Sequence, residues 1–287
     1  MKQMIRRILC ALILLTLPAG CSAAAEGGLR GYDAENGYVY VTFGRYPQSI
    51  DGGRPDDGKQ AQQWRKSYQK NKTKGEMREE GIDPAAVEPS PILWRVLQAD
   101  EEKIFLCSEY ILFPSPMHSD RKAYREIGND FGRTDLCALL NGTFTEAAFS
   151  AEEQAALISR ETFGKVFILS AEEMNDKSLG FGTKQSRKTW ATEYAIRACG
   201  AFVYQASMGC HSPCWTRNQS TTQRNAARCT KQEGTIGYYD CQNPEEGVRP
   251  AVWMRAEAYR INGGNGTRED PYQLVPAAED EEKGDNE

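Results

Sequence analysis

Two histidines, His118 and His211, are all that the 287-residue chain contains. A histidine-based catalytic triad would have to use one of them, and neither has an obvious nucleophile beside it. The G-x-S-x-G, H-E-x-x-H, P-loop and dinucleotide-glycine patterns are missing too. Gly180-Phe-Gly182 and Gly263-Gly264-Asn-Gly266 lack the strand–helix setting that a phosphate cradle needs. After residue 25 no apolar run approaches the roughly 20 residues of a membrane-spanning helix. Basic residues are outnumbered, 35 Lys and Arg against 40 Asp and Glu, for a net charge of −5. That balance argues against nucleic acid, whose binding needs cations to displace counterions. These absences turn the expectation away from catalysis, and no cofactor and no metal site is expected.

What is present begins at the N-terminus. Lys2, Arg6 and Arg7 precede the short apolar run Ile8 to Leu17, and Leu17-Pro18-Ala19-Gly20-Cys21 closes it with small residues. This is the layout of a secretory signal, and Gly20-Cys21 resembles the end of a lipoprotein signal. Residues 1–21 are expected to be removed up to Cys21, which would carry acyl chains and tether an extracytoplasmic domain to the membrane. A rival cut after Ala23-Ala24-Ala25 would release a secreted protein. Beyond Cys10 and Cys21 the chain holds Cys107, Cys137, Cys199, Cys210, Cys214, Cys229 and Cys241. Seven is odd, so at least one thiol is unpaired. The density from Cys199 to Cys241 suggests one or two local disulfides in an oxidising compartment. Buried thiols are the competing reading. Metal ligation by Cys210-His211-x-x-Cys214 is a third, with a spacing unlike the usual zinc patterns.

Residues 22–37 read as a spacer. Tyr38 to Phe43 alternates as a strand does, and residues 49–90 are a polar insertion with few aliphatic residues and one short helix around Ala61 to Lys70. The insertion's lysines and arginines suit either a solvated loop or contact with an anionic lipid or wall polymer. Ile92–Leu97 and Ile104–Ser108 form a hairpin across Asp100–Lys103. Thr134 caps a helix with Leu136, Leu139 and Leu140 on one face. Ser150-Ala-Glu-Glu153 and Ser170-Ala-Glu-Glu173 are capping boxes, the first opening a helix through Ile158. Lys165–Ser170 and Val252–Met254 are strands, and Thr192 starts a further helix over Tyr194, Ala195 and Ala198. Short helices among hairpins indicate a single α+β domain over 38–275, followed by an acidic tail over 276–287.

Several pieces recur together in an uncharacterised family of exported bacterial domains that the chain resembles. They are Phe43-Gly44-Arg45-Tyr46-Pro47, Pro91-Ile92-Leu93-Trp94-Arg95-Val96-Leu97, Leu139-Leu140-Asn141, Ala148-Phe149-Ser150-Ala-Glu152, Val166 to Glu172, Trp215-Thr-Arg217 and Gly247-Val248-Arg249-Pro250-Ala251. The late segments are also similar to those of C-type-lectin-like domains, a fold shared by formylglycine-generating enzymes, and imply that fold without implying a reaction. The chain departs from the nearer family at Phe131-Gly132, where a Trp-Glu pair is usual, and at Cys214-Trp215-Thr216-Arg217-Asn218, which replaces a more aromatic segment. Gly266-Thr267 to Pro271-Tyr272-Gln-Leu274 resembles a closing motif of exported surface proteins, in which Tyr272 and Leu274 pin the last strand.

Arg249, Arg217 and Trp215 are the ligand-binding candidates. A charged side chain in an apolar strand must be paired, so Arg249 reads either as a buried guanidinium tying loops to carbonyls or as a fork offered to a ligand. Arg95 and Arg217 pose the same alternative. Trp94, Trp190 and Trp253 read as core, whereas polar loops leave Trp215 open between core and sugar platform. The expected function is non-catalytic recognition of an extracellular glycan or protein through loops between about 205 and 245. A thiol- or metal-dependent enzyme using Cys210 with Cys214, or Cys229 with Cys241, is the alternative, and a structural envelope protein is the third.

Overall fold

The computed structural model describes residues 29–53, 59–70, 72–204, 207 and 209–277, excluding the side chains of 59–62. Cys21, the signal and most of the acidic tail lie outside them. Among the described residues no helix is long and apolar enough to cross a membrane.

The elements in chain order are β1 (Val39–Pro47), α1 (Lys59–Gln69), β2 (Pro89–Ala99), β3 (Lys103–Ser108), β4 (Phe113–Pro114), α2 (Arg121–Ile127), α3 (Asp135–Leu139), α4 (Thr145–Ala148) and α5 (Ala151–Ala156). There follow β5 (Val166–Ile168), α6 (Lys184–Arg187), α7 (Glu193–Arg197), β6 (Cys214–Gln219), β7 (Ala226–Thr230), β8 (Ile236–Asp240), β9 (Gly247–Val248), β10 (Pro250–Arg255), β11 (Tyr259–Ile261) and β12 (Tyr272–Pro276). A seven-stranded sheet runs β11-β12-β1-β2-β3-β10-β5, and a five-stranded sheet runs β4-β9-β6-β7-β8. The fold is α+β.

The larger sheet grows from the β2–β3 hairpin, which opens on the Asp100–Lys103 turn with Trp94 opposite Ser108. Trp94 is fully buried and its Nε1 donates to Phe43 O at 2.7 Å, which joins the hairpin to β1. The closing segment delivers β12 to the other edge of β1, in parallel, with Val41 opposite Tyr272. Gly266 sits at φ +79°, and a Cβ there would meet the Tyr272 ring at 2.5 Å. Both the left-handed backbone and the close approach demand glycine.

The helix caps follow the sequence. Thr134, Ser150 and Thr192 each accept from the amide three residues on, and Ser150 with Glu153 closes a capping box. The first capping-box helix stops at Ala156, short of Ile158. Ser170 and Glu173 make the reciprocal bonds too, at 3.1 and 2.7 Å, but only a single 3-10 turn follows. Leu136 and Leu140 are buried while Leu139 faces outward. The chain runs on from α3 through a π-helical turn, Leu140–Phe144, so the exposure of Leu139 is not due to a break in the helix.

The insertion is not an excursion into solvent. Met77, Arg65 and Val87 are buried, Met77 completely, and Met77 packs with Ile111, Ala191, Ala195, Ile196 and Val203 in a cluster of its own. Arg65 Nη2 donates to Ala191 O at 3.0 Å, and Tyr68 Oη donates to Met77 O at 2.7 Å. A few well-placed side chains anchor a segment whose average composition is polar. Met77→Ala is expected to cost about 2–5 kcal/mol in chemical denaturation, whereas a solvated segment would show no change.

Candidate functional site

Asn141, the last residue of the Leu139-Leu140-Asn141 segment, organises one side of an open cleft. Its Nδ2 donates to Cys137 O, Phe163 O and Val166 O at 3.0, 3.0 and 2.9 Å, and its Oδ1 accepts from Lys165 and Val166 amides. One amide thereby fixes the turn at 162–166 beside the 129–132 loop. The two meet so closely that a Cβ on Gly132 would lie 1.9 Å from Thr162 O. The glutamate usual at this position in the resembling family cannot occupy this backbone.

From the other side comes β6. Arg217 forms a bidentate pair with Glu173, Nη1 to Oε2 at 2.5 Å and Nη2 to Oε1 at 2.9 Å, and Nη1 also donates to Ile168 O at 3.0 Å. Its guanidinium lies over Phe163 and Phe167, 5.1 and 5.7 Å from the ring centres. Asn218 Oδ1 accepts from the Ala171 amide at 2.7 Å, and Asn129 Oδ1 accepts from the Gln219 amide at 2.8 Å. Between these elements is a cavity of about 540 Å³, in which Asn129, Asp130, Arg217 and Asn218 stand over Phe131 and Phe163. The Asp130 carboxylate makes no hydrogen bond or ion pair among the described residues. Phe131-Gly132 and the Arg217-Asn218 end of the 214–218 segment, the two places where the sequence departs, are thus neighbours in one cleft.

The other candidates lie elsewhere. Trp215 is 2% exposed and its Nε1 donates to Ser115 O at 2.7 Å, which makes it core rather than a sugar platform. Arg249 is 3% exposed, with its Nε donating to Ser108 O at 2.6 Å and its guanidinium 5.5 Å from the Phe181 ring centre. Its Nε ties the strand end to a carbonyl, while Nη1 and Nη2 are buried with no hydrogen-bond partner among the described residues. Only Arg217 reaches the cleft.

All seven cysteines of the described residues are free thiols. Strand register explains why closeness in sequence does not become closeness in space. Cys214 lies opposite Thr230 and Cys229 opposite Trp215, so the two sulfurs point to opposite faces of the β6–β7 hairpin. Cys241 donates its amide to Asn225 O, four residues from Cys229. At about 3.3 Å per residue that is about 13 Å along the strand, beyond the roughly 7 Å a disulfide tolerates between Cα atoms. Cys199 belongs to a separate apolar cluster with Val87 and Tyr194, and Cys210 packs near Met77. Burial pushes the Cys214 thiol up to about 12 and Cys241 up to about 11, and raises Cys210 and Cys229 as well. Protonated thiols are poor nucleophiles and poor metal ligands. Among the described residues no group of three or more His, Cys, Asp or Glu is arranged to hold a metal ion.

Two features carried no sequence signal beyond an ordinary acidic residue. Glu109 is buried and faces two guanidinium groups, Arg95 and Arg268. Burial works against its charge, but the two arginines outweigh it and hold the carboxyl below its usual range. Glu246, 1% exposed, has no such partner. Its Oε2 accepts from Asn243 Nδ2 at 3.1 Å, and burial pushes its carboxyl up to about 8.

Fold and cleft together define an α+β domain that uses several arginines in internal ion pairs and leaves a polar cleft open. Residues 101–256 match the family model described as Domain of unknown function (DUF6273), and the chain belongs to that family. The matched stretch runs from the β2–β3 turn to the end of β10 and contains the whole cleft. No curated protein and no solved structure matches the chain.

A carboxyl that holds its proton to about pH 8 when folded, and to about 4.5 when unfolded, lowers stability as the pH rises between those values. Glu246→Gln is expected to flatten that slope and to make the protein more stable than wild type above about pH 8. Urea melts at pH 5, 7 and 9 check this, and equal slopes in the two proteins would show that Glu246 ionises freely.

Proposed function

We propose that the chain is an extracytoplasmic module, tethered through a lipid on Cys21, that binds an extracellular glycan without transforming it. The observation that carries this reading is the cleft. Asn129, Asp130 and Asn218 offer amide and carboxylate groups at fixed positions, Arg217 is held rigid by Glu173, and Phe131 and Phe163 supply an apolar floor. A few convergent polar groups over an apolar lining suit a small ligand rich in hydroxyls. The reading includes a C-type-lectin-like arrangement of the α+β fold. It is supported by a second sheet of short strands that carries both the Trp215-Thr-Arg217 and the Gly247-Val248 segments between long loops. The raised, scattered thiols leave the enzyme alternative without an observation in its favour.

Screening saccharides and peptides by melting temperature tests the reading. A ligand at a hundred times its Kd stabilises by about 2.7 kcal/mol. Asp130→Ala is expected to weaken saccharide binding about tenfold, the worth of one hydrogen bond to a charged group, while leaving the free protein's melting temperature unchanged. A ligand set made only of peptides, or none at all, would overturn it. Cys21→Ser is expected to abolish acylation and move the protein from the membrane to the soluble fraction. A mature N-terminus beginning after Ala25 in the wild type would replace the anchor with secretion.

A further inference from the structure

The turn that begins at Ser170 is a wall shared by two clefts. Toward the first, Glu173 grips Arg217 and the Ala171 amide donates to Asn218. On its other side Ala171, Glu172 and Asn175 line a second cleft of about 540 Å³, completed by Lys184, Arg187 and Arg228. Three cations face a single carboxylate there, in a chain whose net charge is −5.

Several arginines elsewhere in the domain are neutralised by neighbouring carboxylates. Arg95 and Arg268 share Glu109, Arg217 has Glu173, and Arg197 has Glu79 and Glu193. In this cleft only Arg228 has an acidic partner, Glu172 at 3.3 Å, and that pair is partly exposed. Arg187 is buried and held by neutral groups, its Nε donating to Gly234 O at 2.7 Å and its Nη1 to Asn175 Oδ1 and Phe181 O at 2.9 Å. The Lys184 ammonium makes no hydrogen bond or ion pair among the described residues. A rigid guanidinium flanked by two adaptable cations, in a concave site, is complementary to an anionic group.

We infer that this second cleft is an anion subsite of the glycan-binding surface, so that the ligand carries a carboxylate or phosphate on a sugar adjoining the one held beside Arg217. The inference rests on the glycan reading and adds the ligand's charge to it.

Titration calorimetry decides the matter, with four probes: a uronic-acid oligosaccharide, a phosphorylated oligosaccharide, a neutral oligosaccharide of equal length, and inorganic phosphate alone. At least one anionic oligosaccharide is expected to bind tenfold or more tighter than the neutral one, and the stronger of the two identifies the acidic group. The advantage should shrink in 0.5 M salt, because exposed charges are screened. In a Lys184→Gln/Arg228→Gln double variant, shown to be folded by its melting temperature, the anionic-to-neutral affinity ratio should fall to about one. Equal binding of anionic and neutral chains, or a double variant that keeps the preference, would overturn the anion subsite. Where neutral binding is still lost in Asp130→Ala, the glycan reading survives that result. Inorganic phosphate binding as tightly as the phosphorylated chain would make the cleft a free-anion site, which also overturns its link to the sugar. Failure of every saccharide would overturn both readings.

Discussion

The buried carboxylate of Glu109 is the fixed point of this fold. Arg95 reaches it from the neighbouring strand β2, and Arg268 reaches it from the closing segment at 2.8 Å. The Glu109 carbonyl accepts from Thr189 Oγ1, and Arg249 binds the carbonyl of the preceding Ser108. Each arginine also lies against an aromatic ring, Arg95 against Tyr38 and Arg268 against Tyr110. Four separate stretches of chain therefore converge on two consecutive residues. Removing one partner from such a buried pair is far more costly than the net worth of the pair, because the remaining charge is left uncompensated. The arrangement specifies which segments meet more than it adds stability.

Arginine has two uses in this domain, holding segments together and lining clefts. Arg95, Arg217 and Arg249 sit in motif-like sequence surroundings, and all three are engaged with carboxylates or carbonyls of the fold. Arg187 and Arg228 sit in unremarkable polar sequence and line a cleft.

The first strands and the caps were legible because each depends on residues within a few positions: alternation for β1, the polar turn between β2 and β3, Thr or Ser with its third-position amide for the helices. The packing of the insertion was not. It depends on Met77, Arg65 and Val87 meeting α7 and the loops beside it, contacts that composition averages away. Arg217 was identified as a candidate and does reach the cleft. Trp215, two residues earlier, turns to the opposite requirement, since its indole N–H finds a buried carbonyl. Asn129, Asp130 and Asn218 could not be grouped from sequence, because a loop and a strand some 90 residues apart are brought together by long-range contacts such as the Gln219 amide reaching Asn129. The cysteines are dense along the chain, but strand register sets Cys214 and Cys229 on opposite faces of their hairpin.

The pairing of β12 with β1 bears on how the protein is made. β12 separates β1 from β11, and β3 acquires its outer neighbour only from β10, so the central sheet draws on both ends of the chain. Contacts of such long sequence separation form late in folding. A ribosome must deliver the chain through residue 276 before the sheet can close, so the nascent polypeptide stays open until that point. An unclosed chain is the form that a secretion channel can thread.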